Sequence, residues 1–314
     1  MKLPLLAFSA GLLALVPLSA HAKIERVVEK TFTVSAGGLL EVQTQGGNVR
    51  VDVGPDNGVK VVARQRFKTD SEKEADEIAK NLELTIEQSG NDVTATAKYN
   101  GPKLRSFWGG GWPPVQVDFT VTVPSNYRGH LRTSGGNIET GDLGGELTAS
   151  TSGGDVRVGK IDGDVDLHTS GGNIRVEEAR RTLKANTSGG DIQIERVVGS
   201  ANISTSGGNI RIEGASGSID AHTSGGNVTA RFLDTFPADS QLRTSGGDVR
   251  VTVSKSAAFH LDAATSGGSV RVDGLVMTIE SGANGKSKVS GKVNGGGPEL
   301  KLRTSGGNIG VHVK

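Results

Sequence analysis

The sequence has 314 residues, no cysteine, a formal net charge of +1, 47 glycines and only 4% aromatic residues. The absence of cysteine excludes a disulfide framework, thiol chemistry and a lipid-modified N-terminal cysteine, and the even balance of charge argues against nucleic acid as a partner. Glycine stands at about twice its average usage, but it falls at fixed positions between regularly spaced apolar residues, which points to turns in a folded object whose core is Val, Ile, Leu, Ala and Thr.

Residues 1–22 read as a secretory signal peptide. Lys2 gives a small basic start, Leu3 to Leu18 is a mostly apolar run, and Ala20-His21-Ala22 is an A-x-A cleavage site before Lys23. Loss of Lys2 with the leader brings the 35 basic residues to 34, equal to the 34 acidic ones. No later stretch is long and apolar enough to span a bilayer, so an exported protein, periplasmic or secreted, with no transmembrane segment in the mature chain is expected.

Residues 23–131 form an N-terminal β region. Thr31–Val34 and Leu40–Thr44 alternate in polarity around Gly37-Gly38, and Val49, Val51 and Val53 continue on one face. Val59–Arg66 is a further strand. Asp70 or Ser71 caps a helix over Glu72–Leu82, with Ala75, Ile78, Ala79 and Leu82 on one side. Leu82–Glu87 and Asp92–Lys98 read as a hairpin around Ser89-Gly90-Asn91, and Val115–Val123 as another strand. Both tryptophans, Trp108 and Trp112, lie in the glycine- and proline-rich loop ahead of that strand. They form either an exposed aromatic contact for a glycan, lipid or protein, or a lid over an end or flank of the repeats. The lid is favoured, because the end of a stack needs covering.

From residue 132 to 314 the chain repeats. Thr-Ser-Gly-Gly-Asn/Asp begins at Thr133, Thr151, Thr169, Thr187, Thr205 and Thr223 at intervals of 18, at Thr244 and Thr265 (with Ser269 in the Asn/Asp place) after intervals of 21, and at Thr304 after 39; Thr44 opens a variant. A fixed short period is the mark of a solenoid in which each repeat is one coil. With Thr as position 1, positions 6, 8, 11, 15 and 17 are apolar, as in Ile192, Ile194, Val197, Ala201 and Ile203. Positions 15, 17 and 1 share one parity, so the threonine faces inward with them. Each coil is then two short strands, positions 5 to 9 and 14 to 2, with a third side near position 11. The glycine pair is a tight corner where positive φ and close backbone approach are both expected. Apolar residues do not recur every six positions, which favours a right-handed coil. The expected fold is therefore an all-β, single-stranded parallel β-helix, one coil to each repeat of about 18 residues, capped by the N-terminal region.

The repeated Thr-Ser-Gly-Gly reads as architecture rather than as a nucleophile or phosphate loop, because it recurs nine times with similar flanks. Asp155, Asp191 and Asp248 resemble calcium-binding repeats but lack their nine-residue period. His168 and His222 sit three coils apart, too far to share a metal, so no metal or cofactor is expected. Position 7 carries Arg157, Arg175, Arg211, Arg250 and Arg271, interrupted by Gln193 and Thr229. This column is either a stripe for an anionic polymer or lipid headgroup, or a solvated ladder paired with the position-5 aspartates, and the second is favoured.

Phe32 to Val53, Val117 to Pro124 leading into Leu131–Ile138, the following repeats, and Gly295–Leu300 before the last Thr304 together resemble the toastrack-type putative adhesins, a bacterial extracytoplasmic family of unknown function. The resemblance covers nearly all of the mature chain. It implies a β-solenoid at the cell envelope, linked in some members to envelope stress, and it carries no catalytic residues. The expected function is adhesin-like binding or scaffolding toward an unknown envelope component, whether protein, glycan or anionic lipid headgroup. The alternative is a carbohydrate-active enzyme, a lyase or hydrolase, which requires an unrepeated acid/base cluster.

Overall fold

The computed structural model describes residues 24–105, 111–233, 238–282 and 286–314; the expected leader and Trp108 lie outside the described residues. Among the described residues the chain is nearly all β with one helix, and no helix there is long and apolar enough to cross a membrane. Two long parallel sheets are wound from stacked coils, forming a β-solenoid.

The period-two alternation builds it. Every second side chain of a strand turns the same way, and in each coil those side chains are buried, as with Ile192, Ile194, Ala201, Ile203 and Thr205. Positions 6 to 8 form sheet A, where Val156 lies opposite Ile174 and Ile174 opposite Ile192. Positions 15 to 1 form sheet B, where Val165 lies opposite Leu183 and Leu183 opposite Ala201. Position 11 ends the same sheet A strands, beyond a gap in the pairing at position 9: Leu143 bridges Ile161, and Ile161, Ala179 and Val197 pair in turn. The inward residues of both sheets merge into one continuous core.

Both sheets run on through the N-terminal region. Leu39–Thr44 and Val49–Val53 form the Thr44 coil, paired in parallel with Arg128–Thr133 and Ile138–Thr140. On its other side, Asp92–Tyr99 and Val115–Val123 pair in parallel with the same two strands. They make a coil that lacks the repeat motif. Antiparallel strands close this end: Gly58–Phe67 on Val115–Val123, Glu25–Thr33 on Gly58–Phe67, and Leu82–Ser89 on Asp92–Tyr99. The helix spans Glu72–Lys80, capped by Ser71, whose side chain accepts from Glu74 N–H. It stops at Asn81, and Leu82 opens the next strand instead of ending the helix.

At the far end, stacking order departs from chain order. Val249–Val253 pairs with Ile309–Val313, whose other edge takes Val270–Asp273. Ser240–Thr244 likewise pairs with Glu299–Thr304, which pairs with Phe259–Thr265. The last coil of the chain fills a slot between two coils that precede it. The Thr44 coil is held in the same way, between the coil of residues 92–123 and the Thr133 coil. Short segments step over each clasped coil. In one, Tyr127 is buried and its hydroxyl donates to the Asn91 carbonyl. The other is held by the Asn294 amide, which donates to the carbonyls of Lys255 and Ala257 at 2.9 Å each. Lys288–Val293 and Met277–Gly282 then add antiparallel strands to sheet B. At about 4.8 Å per step the stack is roughly 48 Å long.

Candidate functional site

The repeated motif is accounted for by stacking. Thr205 Oγ1 donates to the Gly190 carbonyl of the preceding coil at 2.9 Å and accepts the Gly208 N–H of its own coil at 3.3 Å. The same two bonds recur at Thr133, Thr169, Thr223 and Thr304. The second glycine must lack a side chain, because a Cβ on Gly190 would lie 2.0 Å from the Gly172 oxygen. The positive φ expected at these corners is absent. Among the described glycines it is confined to Gly37, Gly90, Gly274, Gly295 and Gly296. Close approach alone requires glycine in the repeats.

The Asn/Asp that follows has a role the sequence reading missed. Its Oδ1 accepts the position-5 N–H of the next coil: Asn173 from Asp191 at 2.8 Å, Asp191 from Asn209 at 2.6 Å. The chain of bonds runs unbroken from Asp118 through Asn48 and Asn137 to Asn308 and Ser269. In stacking order no two aspartates are neighbours. The recurrence of Asn/Asp at one position was the available signal. Among the described residues no three His, Asp or Glu side chains gather so as to hold a metal ion.

The position-7 arginines stand in one column on the outer face of sheet A. Arg157 lies opposite Arg175, Arg175 opposite Gln193, and Gln193 opposite Arg211. Thr229 and Arg250 follow. Chain order makes Arg250 and Arg271 neighbours, but the inserted last coil places Gly310 between them. Arg157 pairs with Asp155 at 2.8 Å and Arg250 with Asp248 at 2.6 Å. Arg211 pairs with Glu213, whose hydrogen bond raises the arginine pKa further above its ordinary value. Asp191 pairs with none of these arginines, so the aspartate ladder offsets only part of the column. Arg175 donates to the neutral Gln193 Oε1 at 2.6 Å. Asp155, Arg157, Asn173, Arg175, Asp191 and Gln193 line a recess of about 260 Å³.

Trp112 follows Gly111 in a short antiparallel pairing with Leu104–Arg105, and 53% of its surface is exposed. A Cβ added to Gly135 would sit 3.0 Å from its ring. The tryptophan therefore lies against the glycine corner of the Thr133 coil, on the flank of the stack, well away from the arginines Arg250 and Arg271 at its other end.

Among solved structures, the chain is similar to a putative adhesin from Parabacteroides distasonis, at 13% identity over 91% of this chain and 97% of that one, with a TM-score of 0.45. A putative adhesin from Bacteroides fragilis matches at 14% identity over 92% and 97%, with a TM-score of 0.33. A putative lipid binding protein from Parabacteroides distasonis matches at 11% identity over 91% and 96%, with a TM-score of 0.37. No curated protein matches the chain. Residues 40–312 match the family described as Toastrack DUF4097, and the chain belongs to that family.

Proposed function

We propose that the protein is a non-enzymatic, adhesin-like binding or scaffold module of the bacterial cell envelope, exported by the leader that ends at Ala22. It would contact an anionic envelope component through Arg157, Arg175, Arg211, Arg250 and Arg271, with Trp108 and Trp112 as aromatic contacts. The observation that carries this reading is the column itself: arginines held in one register on an exposed sheet, with Arg175 paired to a neutral amide. Repulsion between stacked cations is a cost that neutral residues would avoid, so a column that keeps them suits an anionic partner. The contact is exposed, so it is screened within about 8 Å at physiological ionic strength.

The test changes Arg157, Arg175 and Arg211 together to Gln and measures retention on anionic lipid or glycan. Retention at low salt should fall several-fold, and the wild-type protein should lose its own retention at high salt. Equal retention of the two proteins at low salt would show the column to be a solvated face only.

A further inference from the structure

The out-of-order insertion of the last coil creates a second cationic surface, on the outer face of sheet B. There His222 lies opposite Arg243, and Arg243 opposite Arg303, although the whole Thr265 coil separates the two arginines along the chain. Elsewhere this outward column is mostly neutral, with Ser150, Asn186 and Ser204 in equivalent places. Ala264, opposite Arg303 on the next strand, is small and leaves room. The corner serines Ser245, Ser305 and Ser266 come from three adjacent coils, and with the three groups they line an open recess of about 490 Å³.

The groups are unequally engaged. Arg303 reaches to Asp262, donating from Nη1 to its carbonyl at 2.7 Å and pairing through Nη2 with its carboxylate. The Asp262 carboxylate, on the neighbouring strand, is thereby taken. No carboxylate among the described residues pairs with Arg243. His222 Nδ1 is buried and has no hydrogen-bond partner. Stacked strands set His222, Arg243 and Arg303 at successive steps of about 4.8 Å, so the recess brings a guanidinium with no carboxylate partner, the edge of the His222 imidazole away from its buried Nδ1, and serine hydroxyls to one volume. A planar guanidinium fork with neighbouring hydroxyl donors matches the oxygens of a phosphoryl group.

We infer that His222, Arg243 and Arg303, with the corner serines, form a binding site for a phosphoryl group, carried either by a soluble phosphate ester or by a phospholipid headgroup. The site is on sheet B and stands independently of the arginine column on sheet A. Arg243 and His222 contact the phosphoryl oxygens, and Asp262 holds Arg303 in place.

The test is a titration of the full chain with inorganic phosphate and with glycerol 3-phosphate, followed through the His222 imidazole resonances. Both should perturb His222 saturably. Arg243→Gln should weaken binding about ten-fold, the scale of one lost charge-assisted hydrogen bond. Its melting temperature should be unchanged, since Arg243 is exposed and pairs with no carboxylate among the described residues. The triple substitution of Arg157, Arg175 and Arg211 should leave this titration intact, so the sheet A reading and this one fail separately. Binding to phosphatidylglycerol vesicles that glycerol 3-phosphate displaces would assign the site to a lipid headgroup. Binding of glycerol 3-phosphate without vesicle binding would assign it to a soluble ester. An unperturbed His222, or an Arg243→Gln protein that titrates like the wild type, would overturn the proposal.

Discussion

At the scale of the residue, the two glycines of each corner are not equivalent. A Cβ on Gly190 would meet the Gly172 carbonyl oxygen at 2.0 Å, whereas one on Gly189 would meet Gly171 at an ordinary 3.5 Å. Neither glycine has positive φ, so backbone strain does not separate them. Gly190→Ala should therefore cost on the order of 3 kcal/mol, the price of forcing an atom between packed backbones. Gly189→Ala should stay within about 1 kcal/mol. Thermal melting of the two variants decides it, and equal melting temperatures would refute the assignment of the corner. The Asn/Asp ladder makes a second residue-level prediction. Asn173 separates Asp155 from Asp191, accepting the Asp191 N–H while its own N–H goes to Asp155. Asn173→Asp keeps an acceptor oxygen but sets three carboxylates about 4.8 Å apart. Two exposed like-charge contacts at that distance cost about 1 kcal/mol each at low salt. The variant should melt lower than the wild type in dilute buffer and approach it at 1 M salt, where screening reaches about 3 Å. A salt-independent deficit would point to a lost hydrogen bond instead.

At the scale of the element, the strands of the repeats were legible because their period is simple. Positions 6, 8, 15, 17 and 1 alternate, and in the coils from Thr133 to Thr205 the residues this alternation selects are buried, together with position 11. The strands Asp92–Tyr99 and Val115–Val123 were also legible as strands. Their membership of the solenoid was not, because their coil lacks the Thr-Ser-Gly-Gly corner and the residues between them carry the tryptophans instead. The arginine column could be read from spacing, but the basic cluster of His222, Arg243 and Arg303 could not. It exists only because coils far apart in the chain are stacked together. The helix shows what a local element depends on here. Its apolar contribution is Ala75 and Ile78, and Arg26 ties it to the first strand through Glu72 at 3.0 Å and Asp76 at 2.7 Å while lying over the Phe67 ring. These exposed ion pairs are weak, so the docking rests on Ile78. Ile78→Asp should release residues 72–80, seen as fast amide exchange over the helix, while the coils from Thr133 onward keep their protection. Loss of protection throughout would mean the helix is integral to the stack.

At the scale of the whole molecule, the order of the coils along the chain is not their order in the stack. A coil at the end of a simple solenoid is paired on one edge only and is the first to open. The Thr44 and Thr304 coils are instead paired on both edges. Their order cannot be read from the repeats, since every coil offers its neighbours the same inward pattern. It is set by connections, above all the long one from Thr265 to Thr304 that lets the chain turn back. Removal of residues 299–314 should therefore do more than shorten the rod. Four fully buried side chains, Leu300, Leu302, Ile309 and Val311, would go, a loss on the order of 10 kcal/mol at about 1.5–3 kcal/mol each, comparable to the whole stability of an ordinary domain. The Thr244 and Thr265 coils would be left facing each other across an empty slot, each with an unpaired edge in both sheets. The Thr265 coil would keep only its antiparallel contacts with Lys288–Val293, and a two-stranded unit of that kind is marginal alone. Hydrogen exchange on a chain ending at residue 298 should show residues 259–293 exchanging rapidly, while residues 133–223 remain protected. Retained protection over 259–273 would mean that this coil holds to the stack without the clasped strand pair.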